Sequence, residues 1–285
     1  MDGRELSAYR IVSAIRASSS QLQPIPNAVH FFLFYPRQRY VELEFHHYVA
    51  LLSAAWLSGT DFVIIWCSAM PDGHYWHQLK SNLTAHGKQN QLLLATRPLP
   101  KRVFNRNVRV IQHQVDVMKL ETGITIGGII LDTDVLTLRS LQPLRRFDCV
   151  IGRESSIGLT IGAFMTKPGD VFLMLWYMLY QTFDDRQWAQ HSVLLPQQIW
   201  QRYPYLCRVE NQSFARPGWT ERELSMLYGD LTNNTKIPRW NWRNNHLLHL
   251  WRFSRPAINE TSVRRLNSMF GQVVRYILYG SESLL

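Results

Sequence analysis

The sequence predicts an α/β fold in which a mostly parallel central sheet is flanked by helices. Short, uninterrupted apolar segments typical of buried strands alternate along the 285-residue chain with longer segments of helical periodicity. Two aspartates, Asp132 and Asp134, directly follow one of the apolar segments. Ligands of such folds bind at the carboxyl ends of the parallel strands. The same pattern therefore predicts where a functional site would lie.

Strands are predicted mainly where apolar residues are continuous, as at 28–34 and 61–67, because a strand covered by helices on both faces has no polar side. One of them ends immediately before Asp132, and the others lie at 28–34, 61–67, 107–111, 148–152 and 159–166. Helices are predicted where apolar residues recur three or four positions apart, at 40–57, 114–124 and 170–183. Gly59 and Gly123 are expected to end the first two helices.

The composition is that of an ordinary globular protein, with 46% hydrophobic and 18% charged residues. The formal net charge of +10 suits a polyanionic partner, which could be nucleic acid, an anionic membrane or a phosphate-bearing ligand. The basic residues are scattered and do not choose among these partners. The amino terminus shows no signal-peptide core, and no apolar run is long enough to span a bilayer.

Cysteines and glycosylation patterns bear on the cellular compartment. The spacing of the cysteines matches no zinc site, and three buried thiols are expected in preference to one disulfide and one thiol, for Cys67, Cys149 and Cys207. Four Asn-x-Ser/Thr acceptor patterns favour the secretory pathway, at Asn82, Asn211, Asn233 and Asn259.

Asp132 and Asp134 form an Asp-x-Asp pair whose setting indicates a metal ion. Alternation along the chain turns both carboxylates to one side and Thr133 to the other. Carboxylates so close together repel each other and are costly to desolvate, so a cation is expected between them. Hard oxygen ligands suit Mg²⁺ or Mn²⁺, which would also hold a diphosphate. The alternative is helix capping or a solvated loop.

The segment around the aspartates, GGIILDTDVLTLRSL, resembles the Asp-x-Asp block of glycosyltransferase family 32. Further segments follow the family's order, between about residue 24 and about residue 252. The segment IPNAVHFFLF resembles the family's opening strand, and VDVMKLETGITIGG resembles its helix before a double glycine. The segment QWAQHSVLLPQQIWQRYP resembles an acceptor-side segment, and NHLLHLW resembles the late His-x-Trp motif. The resemblance implies a GT-A-like fold and a metal-dependent, retaining hexosyltransferase that uses a nucleotide-activated sugar.

The resemblance also implies roles for single residues. Asp132 and Asp134 would hold Mn²⁺ (or Mg²⁺) together with the ribose and diphosphate of the donor. His249 would complete the metal shell or bond the diphosphate, unless it is a half-buried histidine beside a tryptophan. Asp116 would hold the nucleotide, and Lys119 would neutralise phosphate where the family carries arginine. The alternative for that pair is a surface ion pair one helical turn apart.

Three further positions are assigned to the donor. His30 and Phe31 would end the first strand and bind the nucleotide base, although a plain core strand explains them nearly as well. Gly128, in the double glycine, would allow a close approach to the backbone.

Departures from the family's pattern concern substrate recognition. Ile161 stands where many members carry an asparagine that faces the donor sugar. His191 and Ser192 stand where asparagine and glycine or serine are usual. Glu154 could approach the sugar ring, but a lone glutamate in a loop is more often solvated.

The resemblance implies a UDP-sugar as donor, a glycan, glycolipid or glycoprotein as acceptor, and no nucleic acid. It also implies the Golgi lumen or membrane, through an anchor that this chain lacks, so a truncated amino terminus is expected. Residues 1–23 are expected to be a poorly ordered or helical extension of a single domain, 24–285. The nucleotide-sugar half would span 24–140 and the acceptor half 141–285.

Three alternatives remain open from the sequence. A haloacid-dehalogenase-type phosphohydrolase also carries Asp-x-Asp after a strand, but it prefers Thr or Val where Leu136 stands and places the motif near the domain's start. The Arg- and Trp-rich segment 238–256 would suit single-stranded nucleic acid, although no accompanying motif supports it. A catalytically inactive glycosyltransferase-like binding protein would keep the fold without the reaction.

Overall fold

The computed structural model describes residues 8–18, 23–35, 40–232, 240–251 and 258–285. Within these ranges the strands are β1 (Ala28–Leu33), β2 (Val41–Glu42), β3 (Phe62–Cys67), β4 (Pro71–Asp72), β5 (Leu92–Thr96), β6 (Arg102–Val103), β7 (Arg106–Asn107), β8 (Gly128–Leu131), β9 (Val135–Thr137), β10 (Cys149–Ser155), β11 (Gly158–Thr166), β12 (Arg208–Glu210) and β13 (Leu247–His249). The α-helices are α1 (Ala8–Ser18), α2 (Phe45–Leu57), α3 (His74–Ala85), α4 (Ile111–Thr125), α5 (Val171–Leu179), α6 (Leu195–Arg202), α7 (Glu221–Tyr228), α8 (Glu260–Arg265) and α9 (Met269–Tyr279).

A seven-stranded sheet forms the centre of the fold, in the order β12-β10-β11-β8-β1-β3-β5. The strands β8, β1, β3 and β5 are parallel neighbours, and β12 is parallel to β10. The strand β11 runs antiparallel to both of its neighbours. The sheet is therefore mostly parallel, as the sequence predicts. The edge at which β1, β3 and β8 end is the carboxyl edge.

The two faces of the sheet belong to two separate hydrophobic cores. Phe31 and Ile65 pack on one face with Leu52 of α2, whereas Ile64 packs on the other face with Val117 of α4. Helices thus cover both faces, which is why the central strands are continuous apolar runs in the sequence.

One predicted strand is wrong. The third strand of the sheet in chain order is β5, and 107–111 instead ends a short hairpin and begins α4. The carboxylate of Asp185 accepts hydrogen bonds from the backbone N–H groups of Arg109 and Val110, at 2.8 and 3.2 Å, at the start of this helix. Because this contact comes from a residue 75 positions away, local sequence could not reveal it.

Helix boundaries differ from the prediction where short-range contacts intervene. The predicted helix 40–57 starts at Phe45, because Val41 and Glu42 pair with β4 and Glu44 caps the helix together with His47. The helix predicted at 170–183 is α5, which is capped by the Asp170 side chain and ends at Leu179.

The cysteine prediction is also corrected. Cys149 and Cys207 form a disulfide, with their Cα atoms 4.6 Å apart, and Cys67 is a buried thiol whose Sγ lies 3.8 Å from the carbonyl oxygen of Ala95. The parallel pairing of β10 with β12 brings the two cysteines together across 58 residues of sequence. That pairing has no local signal in the chain.

The described ranges contain no helix with the length and apolar character needed to cross a membrane. Asn211 and Asn259 of the glycosylation patterns are exposed, whereas Asn82 lies in α3 and donates a hydrogen bond to the hydroxyl of Tyr48 at 2.8 Å. Asn233 lies outside the described residues.

Candidate functional site

The site is built where the chain leaves β8 at the carboxyl edge. Asp132 and Asp134 follow Leu131 and lead into β9, which pairs antiparallel with β13. In that ladder His249 lies opposite Val135, and the N–H of Leu250 donates to the carbonyl of Asp134 at 2.9 Å. The pairing of β9 with β13 therefore brings His249, which is far away in the sequence, next to the two aspartates.

Asp132, Asp134 and His249 converge on one point. His249 Nε2 lies 3.1 Å from an Oδ of Asp134 and 3.9 Å from an Oδ of Asp132. One ligand atom from each residue lies within 4.8 Å of the others, and among the described residues this is the one such group of three. The structure thus brings together the three residues that the sequence predicts as metal ligands.

The ring of His249 is held in place by Trp251. The two rings stack with their centroids 3.7 Å apart, and the indole N–H of Trp251 donates to the carbonyl of Pro217 at 2.9 Å. Trp251 has a φ of +52°, a left-handed conformation that is uncommon for a bulky residue and is often found at functional sites. The sequence analysis placed a tryptophan beside His249, but it did not predict that the two rings stack.

His249 is polarised by the carboxylates around it. Burial by itself would lower the pKa of the imidazole, but the charges of Asp134, Asp132 and Glu154 outweigh burial and raise it. The cluster therefore favours a positive charge at this point, which is the requirement of a cation site.

Asp116 and Lys119 approach the same point from α4. This helix runs antiparallel to β8, which places its first half beside the carboxyl edge. Lys119 Nζ contacts the carboxylate of Asp132 and lies 3.2 Å from an Oδ of Asp116. Because the lysine side chain is only 3% exposed, this is a buried ion-pair cluster and not the surface pair considered above.

The ionisation of this cluster follows from its contacts. Burial opposes the charge on Lys119, but Asp132 and Asp116 raise its pKa above the ordinary lysine value. Burial also raises the pKa of Asp116, which Lys119 partly offsets. Lys119 therefore remains a fixed positive charge next to the aspartate pair.

Replacing Lys119 with methionine should destabilise the protein by on the order of 3 kcal/mol, because two carboxylates lose their buried partner. Urea denaturation in metal-free buffer measures this loss. Lys119→Arg is the matched control, since it keeps the charge and should recover more than half of the stability. Equal destabilisation by both variants would contradict a charge-based role.

Gly162 of β11 fixes the position of Asp132. The N–H of Asp132 donates to the carbonyl of Gly162 at 2.8 Å. A Cβ on Gly162 would lie 2.5 Å from an Oδ of Asp132 and 3.0 Å from Cε1 of His249. In the sequence, Gly162 is only a glycine within an otherwise apolar strand, and this did not identify it as a residue of the site.

Glu154 is a further site residue that sequence reasoning set aside as solvated. It lies on β10, its side chain is hydrogen-bonded to Thr160, and it interacts electrostatically with His249 and Asp132. Burial raises the pKa of Glu154 to about 7, and the charge of His249 opposes the shift. A carboxyl group that is part protonated near neutral pH can both donate and accept a hydrogen bond.

The raised pKa of Glu154 predicts a pH-dependent stability. In the unfolded chain Glu154 has its ordinary pKa of 4.5 and loses its proton above that pH, whereas in the folded protein it keeps the proton up to about pH 7. The free energy of unfolding should therefore fall as the pH rises from about 4.5 to about 7. In Glu154→Gln, the decrease in unfolding free energy over this pH range should be smaller than in the wild type by about 2 to 3 kcal/mol. Urea denaturation of both proteins at pH 5 and pH 7.5, without metal, tests it. Parallel pH profiles would refute the assignment.

His30, Phe31 and Gly128 lie elsewhere than expected. His30 and Phe31 are inside β1, which continues to Leu33, and they are 0% and 1% exposed. His30 Nδ1 accepts a hydrogen bond from the indole of Trp66 at 3.0 Å, which indicates a packing role. Gly128 begins β8 at the opposite end from Asp132, where a Cβ would lie 2.8 Å from the carbonyl oxygen of Ala28. The glycine permits close packing of strands.

Two of the carboxy-terminal tryptophans that suggested a stacking surface are buried. Trp242 is 4% exposed and packs in the core, and Trp251 is 6% exposed and packs on His249. Parts of the segment 238–256 lie outside the described residues. Trp242 and Trp251 are therefore not available to stack on the bases of a nucleic acid.

The donor set fits a divalent metal. Two carboxylates and one imidazole provide three ligands, which leaves coordination positions for a diphosphate and water. Asp132, Asp134 and His249 are therefore the residues that would hold Mn²⁺ or Mg²⁺.

Comparison with known proteins shows which fold carries this site. No family model matches the sequence. A curated relative, Glucan organizing enzyme 1 of Cryptococcus neoformans var. grubii serotype A, is 24% identical over 249 residues. The match covers 82% of this chain and 64% of the relative, so the chain spans a little under two thirds of that protein.

Several solved structures of similar fold are glycosyltransferases. The apo structure of the bifunctional glycosyltransferase WbbM matches with a TM-score of 0.50 and 6% identity, over 93% of this chain and 51% of WbbM. The galactosyltransferase LgtC with donor and acceptor sugar analogues gives a TM-score of 0.44 and 11% identity, over 90% of this chain and 97% of LgtC. The apo form of mouse xyloside xylosyltransferase 1 gives a TM-score of 0.43 and 11% identity, over 78% of this chain and 96% of the xylosyltransferase.

The fold is the GT-A-like α/β fold of glycosyltransferases, which confirms the predicted fold class. Its carboxyl edge carries an Asp-Asp-His group suited to a metal.

Proposed function

We propose that the chain is a metal-dependent, retaining glycosyltransferase of family 32 that transfers a hexose from a UDP-sugar to a glycan, glycolipid or glycoprotein. The observation that carries the proposal is the convergence of Asp132, Asp134 and His249 at the carboxyl edge of a GT-A-like sheet. Residues 24–140 and 141–285 would be the nucleotide-sugar and acceptor halves of one domain, preceded by the extension 1–23.

The residues of the chain would divide the work as follows. Asp132, Asp134 and His249 would hold Mn²⁺ or Mg²⁺, which when bound supplies Lewis-acid stabilisation of the departing diphosphate. Lys119 adds a fixed positive charge beside Asp132 for the same developing negative charge. Asp116 orients Lys119 through their 3.2 Å contact. Glu154 would bond a hydroxyl of the donor sugar.

In the proposed reaction, the acceptor hydroxyl attacks the anomeric carbon while the bond from that carbon to the diphosphate oxygen breaks. The hydroxyl proton passes to an oxygen of the leaving diphosphate on the same face of the sugar. No protein carboxylate is needed as a base in this scheme. Retention of configuration is proposed from the family resemblance, and the anomeric signals of the product in ¹H NMR would report it directly.

The compartment is part of the proposal. The disulfide between Cys149 and Cys207 and the exposed Asn211 and Asn259 are features of proteins that fold in the secretory pathway. They support a location in the secretory pathway, and the Golgi is proposed from the family resemblance.

The test is nucleoside diphosphate release by the purified protein from a panel of UDP- and GDP-hexoses, with Mn²⁺ and after EDTA treatment. Metal-dependent release from one donor, lost in the Asp132→Ala/Asp134→Ala variant, is the expected result. A folded wild-type protein that binds and hydrolyses no donor would indicate an inactive relative and contradict the proposal.

A further inference from the structure

Helix α5 is apolar on all of its sides, although only one side faces the core. No residue of Val171–Leu179 is charged. Phe172 is among the residues that bury the inner side in the core shared with α4. The outer side exposes Val171, Met174 and Met178, which are 47%, 39% and 55% exposed. A helix that is apolar all round is typical of segments covered by protein or lipid, so the outer side has the composition of an interaction surface.

The hairpin of β6 and β7 extends this surface. Phe104 at its turn is 43% exposed, and its ring lies 5.3 Å from that of Tyr177 on α5. The Nε–H of Arg106 donates to the carbonyl of Gln181 at 3.0 Å, which holds the hairpin beside the end of α5. The exposed apolar side chains of the helix and the hairpin form one row, here called the apolar strip: Phe104, Val171, Met174 and Met178.

Basic residues flank the apolar strip at both ends. The hairpin and the residues next to it carry four that are exposed, namely Lys101, Arg102, Arg106 and Arg109. At the start of α5, Val171 lines a cavity together with three more, namely Arg146, Lys167 and Arg208. Of these three, Lys167 is paired with Asp148 at 2.6 Å and Arg208 with Glu210 at 2.7 Å. The strip therefore lies between two groups of positive charge.

Several of these charges contact neutral groups. Arg102 donates to the amide oxygen of Asn107 at 3.0 Å, and Arg106 donates to the backbone carbonyl described above. The guanidinium of Arg146 lies over the ring of Phe147, 5.0 Å from its centroid. None of these contacts neutralises an arginine, so the three charges can bind an anionic partner.

We propose that the apolar strip and its flanking arginines bind the surface of an anionic lipid bilayer. The side chains of the strip enter the boundary of the acyl chains, and the arginines contact lipid phosphates. With nine residues, α5 is far shorter than the about 20 residues needed to cross a bilayer, so the protein lies on the surface. The inference goes beyond the proposed function and does not depend on it.

The chemistry of the surface favours a lipid bilayer over other occupants. Two copies of the chain in contact through the apolar strip would bring basic ends together in either orientation, and such like-charge contacts are costly. Methionine, valine and phenylalanine side chains offer no hydrogen-bond donor to the hydroxyls of a glycan. A bilayer presents acyl chains next to phosphates, which matches apolar residues between groups of arginines.

The test is co-sedimentation of the full chain with vesicles of phosphatidylcholine, with and without phosphatidylserine, at low and high salt. The wild-type protein should bind the vesicles that contain phosphatidylserine at least about tenfold more tightly than those that do not, and high salt should weaken this binding.

Met174→Ser/Met178→Ser removes the apolar contribution and should weaken binding to the phosphatidylserine vesicles at least about tenfold. Met70→Ser/Leu284→Ser is the matched control, since both residues are also exposed. Their neighbours Val41 and α8 contribute to the core on the other face of the sheet. The control should bind within about twofold of the wild type.

Arg102→Ala/Arg106→Ala removes two charges beside the strip. It should also weaken binding about tenfold and reduce the effect of salt. Arg222→Ala/Arg265→Ala is the control for charge, because these exposed arginines lie on α7 and α8, which pack on the other core. This control should keep most of the binding.

Equal binding of the wild-type protein to both kinds of vesicle would overturn the proposal. Equal losses in a strip variant and its matched control would do the same. Sedimentation velocity without lipid gives a further check, since a dimer that Met174→Ser/Met178→Ser dissociates would identify a second copy as the occupant. Failure of the proposed function is a separate result, because nucleoside diphosphate release is measured without vesicles.

Discussion

Asp134→Ala should lose transfer activity by at least about 10³-fold and keep its fold. The carboxylate would hold the metal, so its removal eliminates stabilisation of the leaving diphosphate. The fold should survive, because removal of Asp134 loses its 3.1 Å contact with His249 but also removes its repulsion with Asp132. The melting temperature without metal should stay within about 3 °C of wild type or rise.

The effect of Mn²⁺ on stability distinguishes a metal-binding role of Asp134 from a purely structural role. Mn²⁺ at about 100 times its Kd should stabilise the wild-type protein by about 2.7 kcal/mol, and Asp134→Ala should show no such gain. Asp148→Ala is the matched control, since Asp148 also pairs with a cation, Lys167 at 2.6 Å, but lies at the start of β10 away from the site. A variant of Asp134 that aggregates at all temperatures would contradict the account.

Gly162→Ala should reduce activity about 100-fold with little loss of stability. The added methyl group would lie 2.5 Å from an Oδ of Asp132, so the carboxylate must turn away from the point it shares with His249. The backbone at Gly162 is compatible with alanine, because its φ is not in the left-handed region. The effect should therefore appear as weaker Mn²⁺ affinity.

Gly128→Ala gives the contrast for this prediction. Its Cβ would collide with the carbonyl oxygen of Ala28, and its φ is +114°, so the strain falls on the packing of β8 against β1. This variant should lose melting temperature, while the folded fraction keeps its Mn²⁺ affinity. Equal loss of metal affinity in the two variants would show that Gly162 acts through general sheet packing.

The sequence predicted the central strands and the proximity of Asp132, Asp134 and His249 for identifiable reasons. Strands buried on both faces are apolar throughout, so 28–34 and 61–67 could be located from residue type alone. Asp132 and Asp134 follow a strand in the position where α/β folds bind ligands. His249 was found only through the family resemblance, because its approach depends on the pairing of β9 with β13.

The errors share a physical cause, which is contact between residues far apart in sequence. The short strand β5 and the start of α4 depend on partners elsewhere in the fold, including Asp185. The disulfide depends on the pairing of β10 with β12. Glu154 resembles a solvated glutamate in the sequence, and only its position on β10 beside Thr160 places it in the site.

Calorimetric titration of Mn²⁺ and then UDP into the metal-free protein tests whether Asp132 and Asp134 hold a metal that binds the donor. We expect one Mn²⁺ site in the wild-type protein and none in Asp132→Ala/Asp134→Ala, and UDP should bind at least about tenfold more tightly with Mn²⁺ than without. Mn²⁺ binding of equal affinity in the double variant, or UDP binding that is indifferent to the metal, would contradict this expectation.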